Sequence, residues 1–503
     1  MKIIILGDGM ADIPRGGAAD PQTPLCEAKT PVIDSLIGRS FAGLVKTVPD
    51  GMKPGSDVAN LSVMGYDPKR YYTGRSPLEA VSIGIAMKDD DLALRCNLVT
   101  LGNAEKKSAD AQENGGINAN AERRNGANKN ANANSTLQRG INANAQNRRI
   151  QSQDPQAGSD CFGEKIMLDY SAGEIGTGEA HILIADFEKH LKALSDSQKR
   201  GTVPQKTAET PKTIQNITDI IEKSDESGGI DPSGKPALAV GCFTFYGGVS
   251  YRNCLIIENG KTGTVCTPPH DISGKKIGGY LPRGVYGETF REIIEESHKF
   301  LTAHEINKKR IERGQNPANA VWLWGEGKKP MIDDFYKLNG KKGAVISAVD
   351  LIKGIGMAAN MKIYEVEGAT GTVETNFLGK AEAALSAVSD GCDFVYLHIE
   401  AADECGHHGD REGKIRSIEK IDGVIGYIKD GLDKKNLEYS LMILPDHPTP
   451  LSTMTHSVDP VPFMIFDGQK NLSNGVSEYN EMAVKKGGFF ESGESLLKFF
   501  IEN

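Results

Sequence analysis

Two apolar runs in the last quarter of the chain, "DFVYLHIEAADE" and "YSLMILPDHPTP", bracket a segment with a different rhythm. There Ile415, Ile418, Ile421, Ile425, Ile428 and Leu432 recur at intervals of three and four, which marks one apolar face of a helix. Strand, helix, strand is the unit of a parallel sheet. The opening "KIIIL" runs into "GDGM" in the same manner, and "VPFMIFDG" adds another apolar run with polar flanks. Parallel strands are buried on both faces, so they read as continuous apolar runs rather than alternating ones. The two ends of the chain therefore predict one α/β domain. Chemistry in such sheets collects at the carboxyl ends of the strands.

A chain of 503 residues holds two or more domains. The middle departs in composition. Residues 103–158 include "NGGINANAERRNGANKNANANSTLQRGINANAQNRR", an Asn-rich low-complexity insertion nearly free of large apolar residues, which builds no core. Globular composition returns from Phe162. "ALAVGCFTFYGGVSYRNCLIIENG" reads as strands and turns. "GQNPANAVWLWGEGKKP" reads as the joint that returns the chain to the main sheet. The expected organisation is a core domain over 1–102 and 315–503, with a smaller domain over 159–314 inserted into it.

Net charge is -9, which argues against a general attraction to nucleic acid. A local cluster of cations or metal ions still suits an anionic substrate. Eight dispersed cysteines with no CxxC pair suggest reduced thiols and a cytoplasmic setting. The first apolar run is too short for a signal peptide, and no run is long enough to span a membrane.

Asp403 and His407 stand four apart, so a helical segment would turn both to one face. Asp446 and His447 are adjacent at a strand end, His456 follows nine residues later, and Asp8 closes the first strand. Any one of these could be a surface charge or a satisfied histidine. Together they are six candidate ligands, enough for two divalent ions. His398 and His408 lie outside that pattern and read as structural or as supports for the ligands. In "KPGSDVANLSVMGYDP", Ser56 is either a plain helix cap or a nucleophile at a helix N-terminus. A neighbouring metal would favour its ionised hydroxyl and make it a phosphate carrier. Ser62 reads as structural. Arg forks suit phosphate and carboxylate, so Arg75, Arg252 and His270 are candidate substrate contacts, each with a plain salt-bridge or turn role as the alternative. Lys328 and Lys329 are weaker candidates.

In order and type, these ligands and Ser56 are similar to the metal pattern of the alkaline phosphatase superfamily. More narrowly, "GDGMAD", "PGSDVANLSVMGYDP", "YYTGRSPLEA", "MLDYSAGEIGTGEA", "TPPHDISG", "WLWGEGKKP", "GATGTVETNFLGKAEAAL" and "DECGHHGD" resemble the archaeal-type, cofactor-independent phosphoglycerate mutases. The resemblance runs over nearly the whole chain outside 103–158. It implies an alkaline-phosphatase-like three-layer sandwich of a mostly parallel sheet, with a smaller inserted α+β lid. It also implies interconversion of 3-phosphoglycerate and 2-phosphoglycerate through a phosphoserine on Ser56. By that analogy Asp403, His407 and His456 hold one ion. Asp8, Asp446, His447 and the Ser56 oxygen hold the other. Mn2+ is the first expectation for the metal, with Mg2+, Co2+ or Zn2+ compatible. Glu174 and Asn253 stand where the pattern leads one to expect histidines, which bears on substrate identity. The alternatives are a homoserine-kinase-like phosphotransferase and a metal-dependent phosphomonoesterase on the same core.

Overall fold

Continuous apolar runs become buried strands. In the computed structural model, which describes residues 1–14, 22–103, 162–199 and 243–503, β1 (Lys2–Gly7) is buried along its whole length. Next come β2 (Phe41–Val45), β3 (Leu92–Gly102), β4 (Ile166–Asp169), β5 (Phe243–Tyr246), β6 (Arg252–Ile257), β7 (Thr264–Val265), β8 (Arg283–Gly284) and β9 (Ala320–Lys328). The chain then adds β10 (Gly343–Ile346), β11 (Lys362–Tyr364), β12 (Phe394–Ile399), β13 (Ser440–Leu444), β14 (Val461–Asp467) and β15 (Gly488–Phe490).

Eight of these strands form one sheet in the order β11-β10-β12-β1-β13-β14-β2-β15. Pairing is parallel from β11 through β13, antiparallel on both edges of β14, and parallel again between β2 and β15. Successive residues of β1 feed opposite faces. Ile3 and Ile5 join an apolar layer with Ile418, Ile421, Ile425 and Ile428, whereas Ile4 and Leu6 join another with Leu61, Leu351, Ile355 and Phe500. A sheet covered by helices on both faces is the expected three-layer sandwich. The isoleucine-spaced segment forms the helix Arg411–Lys434. Each fully buried isoleucine there contributes roughly 1.5–3 kcal/mol.

A second, five-stranded sheet joins β3, β4, β5, β6 and β9. It has its own core, with Leu255, Trp322, Phe187 and Phe290 from the sheet and the helices Thr177–Lys199 and Gly287–Thr302. Here the structure differs from the sequence expectation. The boundaries at 102 and 315 left Leu92–Gly102 and Ala320–Lys328 with the core domain, yet these strands pair with one another in the second sheet. An apolar strand looks alike in either sheet, and only pairing decides its home. The segment expected to be the returning joint is thus largely strand, and the chain recrosses after Lys328. The Asn-rich insertion falls, from residue 104 onward, outside the described residues.

The helix Arg75–Ser82 lies between the two bodies. It packs on the helix Asp350–Ala358 of the core and also on β3 and β9. Gly354 makes the first contact possible, because a Cβ there would sit 2.0 Å from the Leu78 carbonyl oxygen. Among the described residues the cysteines are free, and no helix is long and apolar enough to cross a membrane.

Candidate metal centre and nucleophile

The parallel neighbours β12, β1 and β13 end on the same side of the sheet, and each delivers a carboxylate. Asp8 follows β1 directly. Asp403 and His407 sit one turn apart on the helix Ala401–His408 that follows β12. Asp446 and His447 follow β13, and His456 comes from the next loop. Gly9 lets the β1 loop approach that helix, since a Cβ at its φ of +60° would lie 2.6 Å from the Asp403 Cα. The six predicted ligands and Ser56 therefore converge.

Asp8 and Asp446 are buried. Asp446 accepts from the Gly9 amide at 3.2 Å and from Asn60 Nδ2 at 2.8 Å, and it lies 3.3 Å from His447 Nε2. Asp8 Oδ2 accepts from His398 Nε2 at 3.0 Å. Asp8 Oδ1 lies 3.6 Å from His447 Nε2 and is a buried oxygen with no hydrogen bond. On the other side, Asp403 lies 3.2 Å from His407 Nε2 and 3.5 Å from His456 Nε2. The two histidines bring their Nε2 atoms within 2.9 Å of each other.

Ser56 begins the helix Ser56–Val63, but Gly55 occupies the capping position. The serine side chain turns away from a capping role. Its Oγ lies 3.2 Å from His447 Nε2 and 3.5 Å from Asp8 Oδ2. Ser62 instead accepts from the Gly493 amide at 3.0 Å and is structural.

The electrostatics match the chemistry of these donors. Burial pushes the Asp8 carboxyl well above the usual range, and the charges of Asp446 and Asp403 add to it. Burial also opposes ionisation of Asp403, yet hydrogen bonds from His407 and His456 hold that carboxyl well below its ordinary value. The bond to Asp403 lifts His407 to about 9. Three crowded carboxylates, an orphaned buried oxygen and two facing imidazole nitrogens form a set that divalent cations satisfy. Asp403, His447 and His456 offer ligand atoms within 4.8 Å of one another, as do Asp8, Asp446 and His447. His447 thus reaches both groups, whereas the expected division gave it to one.

Several supporting residues escaped the sequence. Asn60 donates to Asp446 and to the Ser56 carbonyl at 2.8 Å, and its place one helical turn after Ser56 was a usable signal. Lys380, fully buried, donates to the His398 carbonyl at 3.1 Å; a lone lysine amid apolar helix residues was its signal. Burial pulls its ammonium down to about 8, against the charges of Glu400 and Asp8. Glu400 is pushed up to about 7 by burial and by Asp403. Thr449, whose buried hydroxyl bonds to Asp403 Oδ1, had no signal at all.

Of the three predicted substrate contacts, Arg75 bonds to the Glu79 carboxylate, Arg252 adds its charge there, and His270 stands against Trp324. Arg75 Nε donates to Glu79 Oε1 at 2.9 Å, and Arg95 Nε approaches Glu79 Oε2 at 2.9 Å. Burial opposes ionisation of Glu79, but the charges of Arg95, Arg75 and Arg252 hold its carboxyl low. Arg95 lies over Trp324 at 4.5 Å, and the His270 ring meets the same indole edge-on at 5.3 Å. Arg95 was missed because one arginine in an apolar strand carries no pattern. Lys328 and Lys329 stand apart, held by the Asp90 carbonyl and the Asp89 carboxylate. Asn253 is buried and braces its own turn, accepting from the Gly248 amide at 3.2 Å. Glu174 is exposed.

Residues 1–502 match the metalloenzyme superfamily. A Methanosarcina mazei protein named 2,3-bisphosphoglycerate-independent phosphoglycerate mutase is 38% identical over 486 residues, covering 96% of this chain and 95% of the relative. A Geobacter sulfurreducens protein named as a probable enzyme of that kind is 37% identical over 505 residues, covering 99% of both. Among solved structures, a Pyrococcus horikoshii protein superposes with a TM-score of 0.64 at 24% identity, covering 100% of this chain and 96% of the other. A cofactor-independent phosphoglycerate mutase from Thermoplasma acidophilum gives a TM-score of 0.52 at 21% identity, covering 100% and 98%. The two structures speak for the fold alone.

Proposed function

We propose a mechanism from one premise: the chain belongs to the metalloenzyme superfamily and, within it, to the 2,3-bisphosphoglycerate-independent phosphoglycerate mutases. It is an enzyme that interconverts 3-phosphoglycerate and 2-phosphoglycerate. The observation that carries the mechanism is the place of Ser56 Oγ, 3.2 Å from His447 Nε2 and 3.5 Å from Asp8 Oδ2, at a helix start.

Ser56 Oγ attacks the phosphorus of 3-phosphoglycerate, and the bond from phosphorus to the 3-oxygen breaks. Glycerate stays bound and reorients. Its 2-oxygen then attacks the phosphoserine, and Ser56 is released. The helix N-terminus faces the phosphate with its positive dipole end. In our assignment Asp403, His407 and His456 hold one divalent ion, while Asp8, Asp446, His447 and Ser56 hold the second. Bound there, the two ions supply charge for the phosphoryl oxygens and favour the ionised Ser56 hydroxyl. Mn2+ suits this mixed oxygen and nitrogen set, as do Mg2+, Co2+ and Zn2+. Arg75, Arg252 and His270, joined by Arg95, grip the carboxylate and phosphate of the substrate. The second sheet and its helices act as a lid that keeps water from the phosphoserine. Free thiols accord with a cytoplasmic setting.

The test is to incubate the protein and Mn2+ with 3-phosphoglycerate, following the 2-isomer and free phosphate. Isomer without phosphate is expected. Phosphate release alone would move the reading to a hydrolase. Activity only with ATP and an amino-alcohol acceptor would move it to a kinase.

A further inference from the structure

Thr449 is fully buried and fixed at three points. Its amide donates to the Ala11 carbonyl at 3.2 Å. Its carbonyl accepts from Lys414 Nζ at 2.8 Å. Lys414, itself fully buried, also donates to the Ala11 carbonyl and to Asp12 Oδ2, both at 3.0 Å, so one ammonium ties this loop to the turn after β1. Gly406 leaves the necessary room, since a Cβ there would meet Thr449 Cγ2 at 2.7 Å. The third point is the side chain. Its Oγ1 bonds to Asp403 Oδ1 and lies 3.3 Å from His447 Nδ1.

A hydroxyl has one proton to give, and an ionised carboxylate only accepts. The Thr449 proton therefore goes to Asp403. The contact with His447 then requires Nδ1 to carry the hydrogen and the hydroxyl to accept it. That leaves the Nε2 lone pair of His447 free toward Asp446 at 3.3 Å and Ser56 at 3.2 Å. The same hydroxyl occupies Asp403 Oδ1, while Oδ2 faces His407 at 3.2 Å.

We propose that Thr449 is a positioning residue that fixes Asp403 and the His447 tautomer together, so that one hydroxyl sets the ligand geometry of both cation sites. This inference rests on the two-ion assignment above. An outer-shell bond of this kind is worth roughly 10–100-fold in metal affinity. Here a single loss is felt at both sites.

The test compares wild type, T449V and T449S, with Mn2+ binding measured by calorimetry without substrate. Valine keeps the shape and removes the hydroxyl; serine restores it. In T449V both Mn2+ ions are expected to bind roughly 10–100-fold more weakly. T449S is expected to recover most of that loss, and all three proteins to show the same far-UV spectrum. Nitrogen chemical shifts of wild-type His447 are expected to show the Nδ1–H tautomer, a readout independent of any variant. Two wild-type ions with unchanged binding in T449V would overturn the inference alone, as would loss at one site only or an Nε2–H tautomer. A wild type that binds fewer than two ions would overturn the assignment beneath it as well.

Discussion

His398 Nε2 donates to Asp8 Oδ2 at 3.0 Å, with both side chains buried. The other ring nitrogen faces Ser347 Oγ at 3.2 Å, and that hydroxyl already accepts from the Val349 amide. An ionised Asp8 carboxylate only accepts, so His398 carries its hydrogen on Nε2, and the bare Nδ1 takes the Ser347 proton. Burial drives its pKa down to about 3, so the ring is a neutral donor. It holds one oxygen of Asp8 and leaves the other for a cation. His398→Phe is expected to weaken Mn2+ binding roughly 10–100-fold, measured by calorimetry. Unchanged affinity would sink this role.

Buried carboxylates that repel one another make folding depend on their counter-ions. Chelation of divalent cations is expected to lower the melting temperature. Adding Mn2+ at about 100 times its Kd is expected to restore about 2.7 kcal/mol. Differential scanning fluorimetry with and without chelator checks this, and equal midpoints would count against a cation at Asp8 and Asp403.

Ser56 caps nothing, so its loss leaves the helix start intact. Ser56→Ala is expected to reduce turnover roughly 10⁴-fold or more, with Mn2+ affinity changing by less than about tenfold. An isomerase assay and a metal titration give both numbers. Substantial activity in the variant would remove Ser56 as the phosphate carrier.

Lys380 predicts a pH effect. Burial lowers its pKa from 10.5 to about 8 in the folded protein. Between those values the unfolded chain binds more protons, so stability rises with pH across the window. The cost of the buried charge, on the order of 3 kcal/mol, is present in full below about pH 8 and relieved toward 10.5. Denaturant midpoints from pH 7.5 to 10 are expected to rise less in Lys380→Met than in wild type. Parallel curves would show that the ammonium carries no such penalty.

Gly354 sets how Arg75 is presented, because it lets the helix Arg75–Ser82 lie against the core at the Leu78 carbonyl. Gly354→Ala is expected to cost roughly 1–3 kcal/mol in urea unfolding and to raise KM by displacing Arg75. A variant with wild-type stability and KM would show that this contact is slack.

The centre of the sheet was legible because β1, β12 and β13 are continuous apolar runs that each end in an acid. Asp403 and His407 were legible from helical spacing, and Asp446 with His447 from adjacency. Sequence could not show that β2 pairs antiparallel with β14, since nothing local links residues so far apart. It misplaced β3 and β9 for the same reason. Ser56 was seen, but its capping alternative was settled only by the backbone at Gly55. Arg95 and Thr449 meet partners, Glu79 and Asp403, that only the fold supplies, whereas Asn60 stood one helical turn from Ser56 and was readable.

The pairing of β1 has a consequence for how the molecule is made. Its partners are β12 and β13, whose first residues are Phe394 and Ser440. A ribosome adding roughly 5–20 residues per second exposes this isoleucine-rich strand for tens of seconds before either neighbour exists. The second sheet, complete by Lys328, can close well before then. The strand at the heart of the eight-stranded sheet is thus the first synthesised, and it gains a partner only when Phe394 and the residues after it are made. Nascent chains halted before residue 394 should present β1 to proteases and chaperones beside a protected second sheet, and protection of β1 in them would contradict that order of assembly.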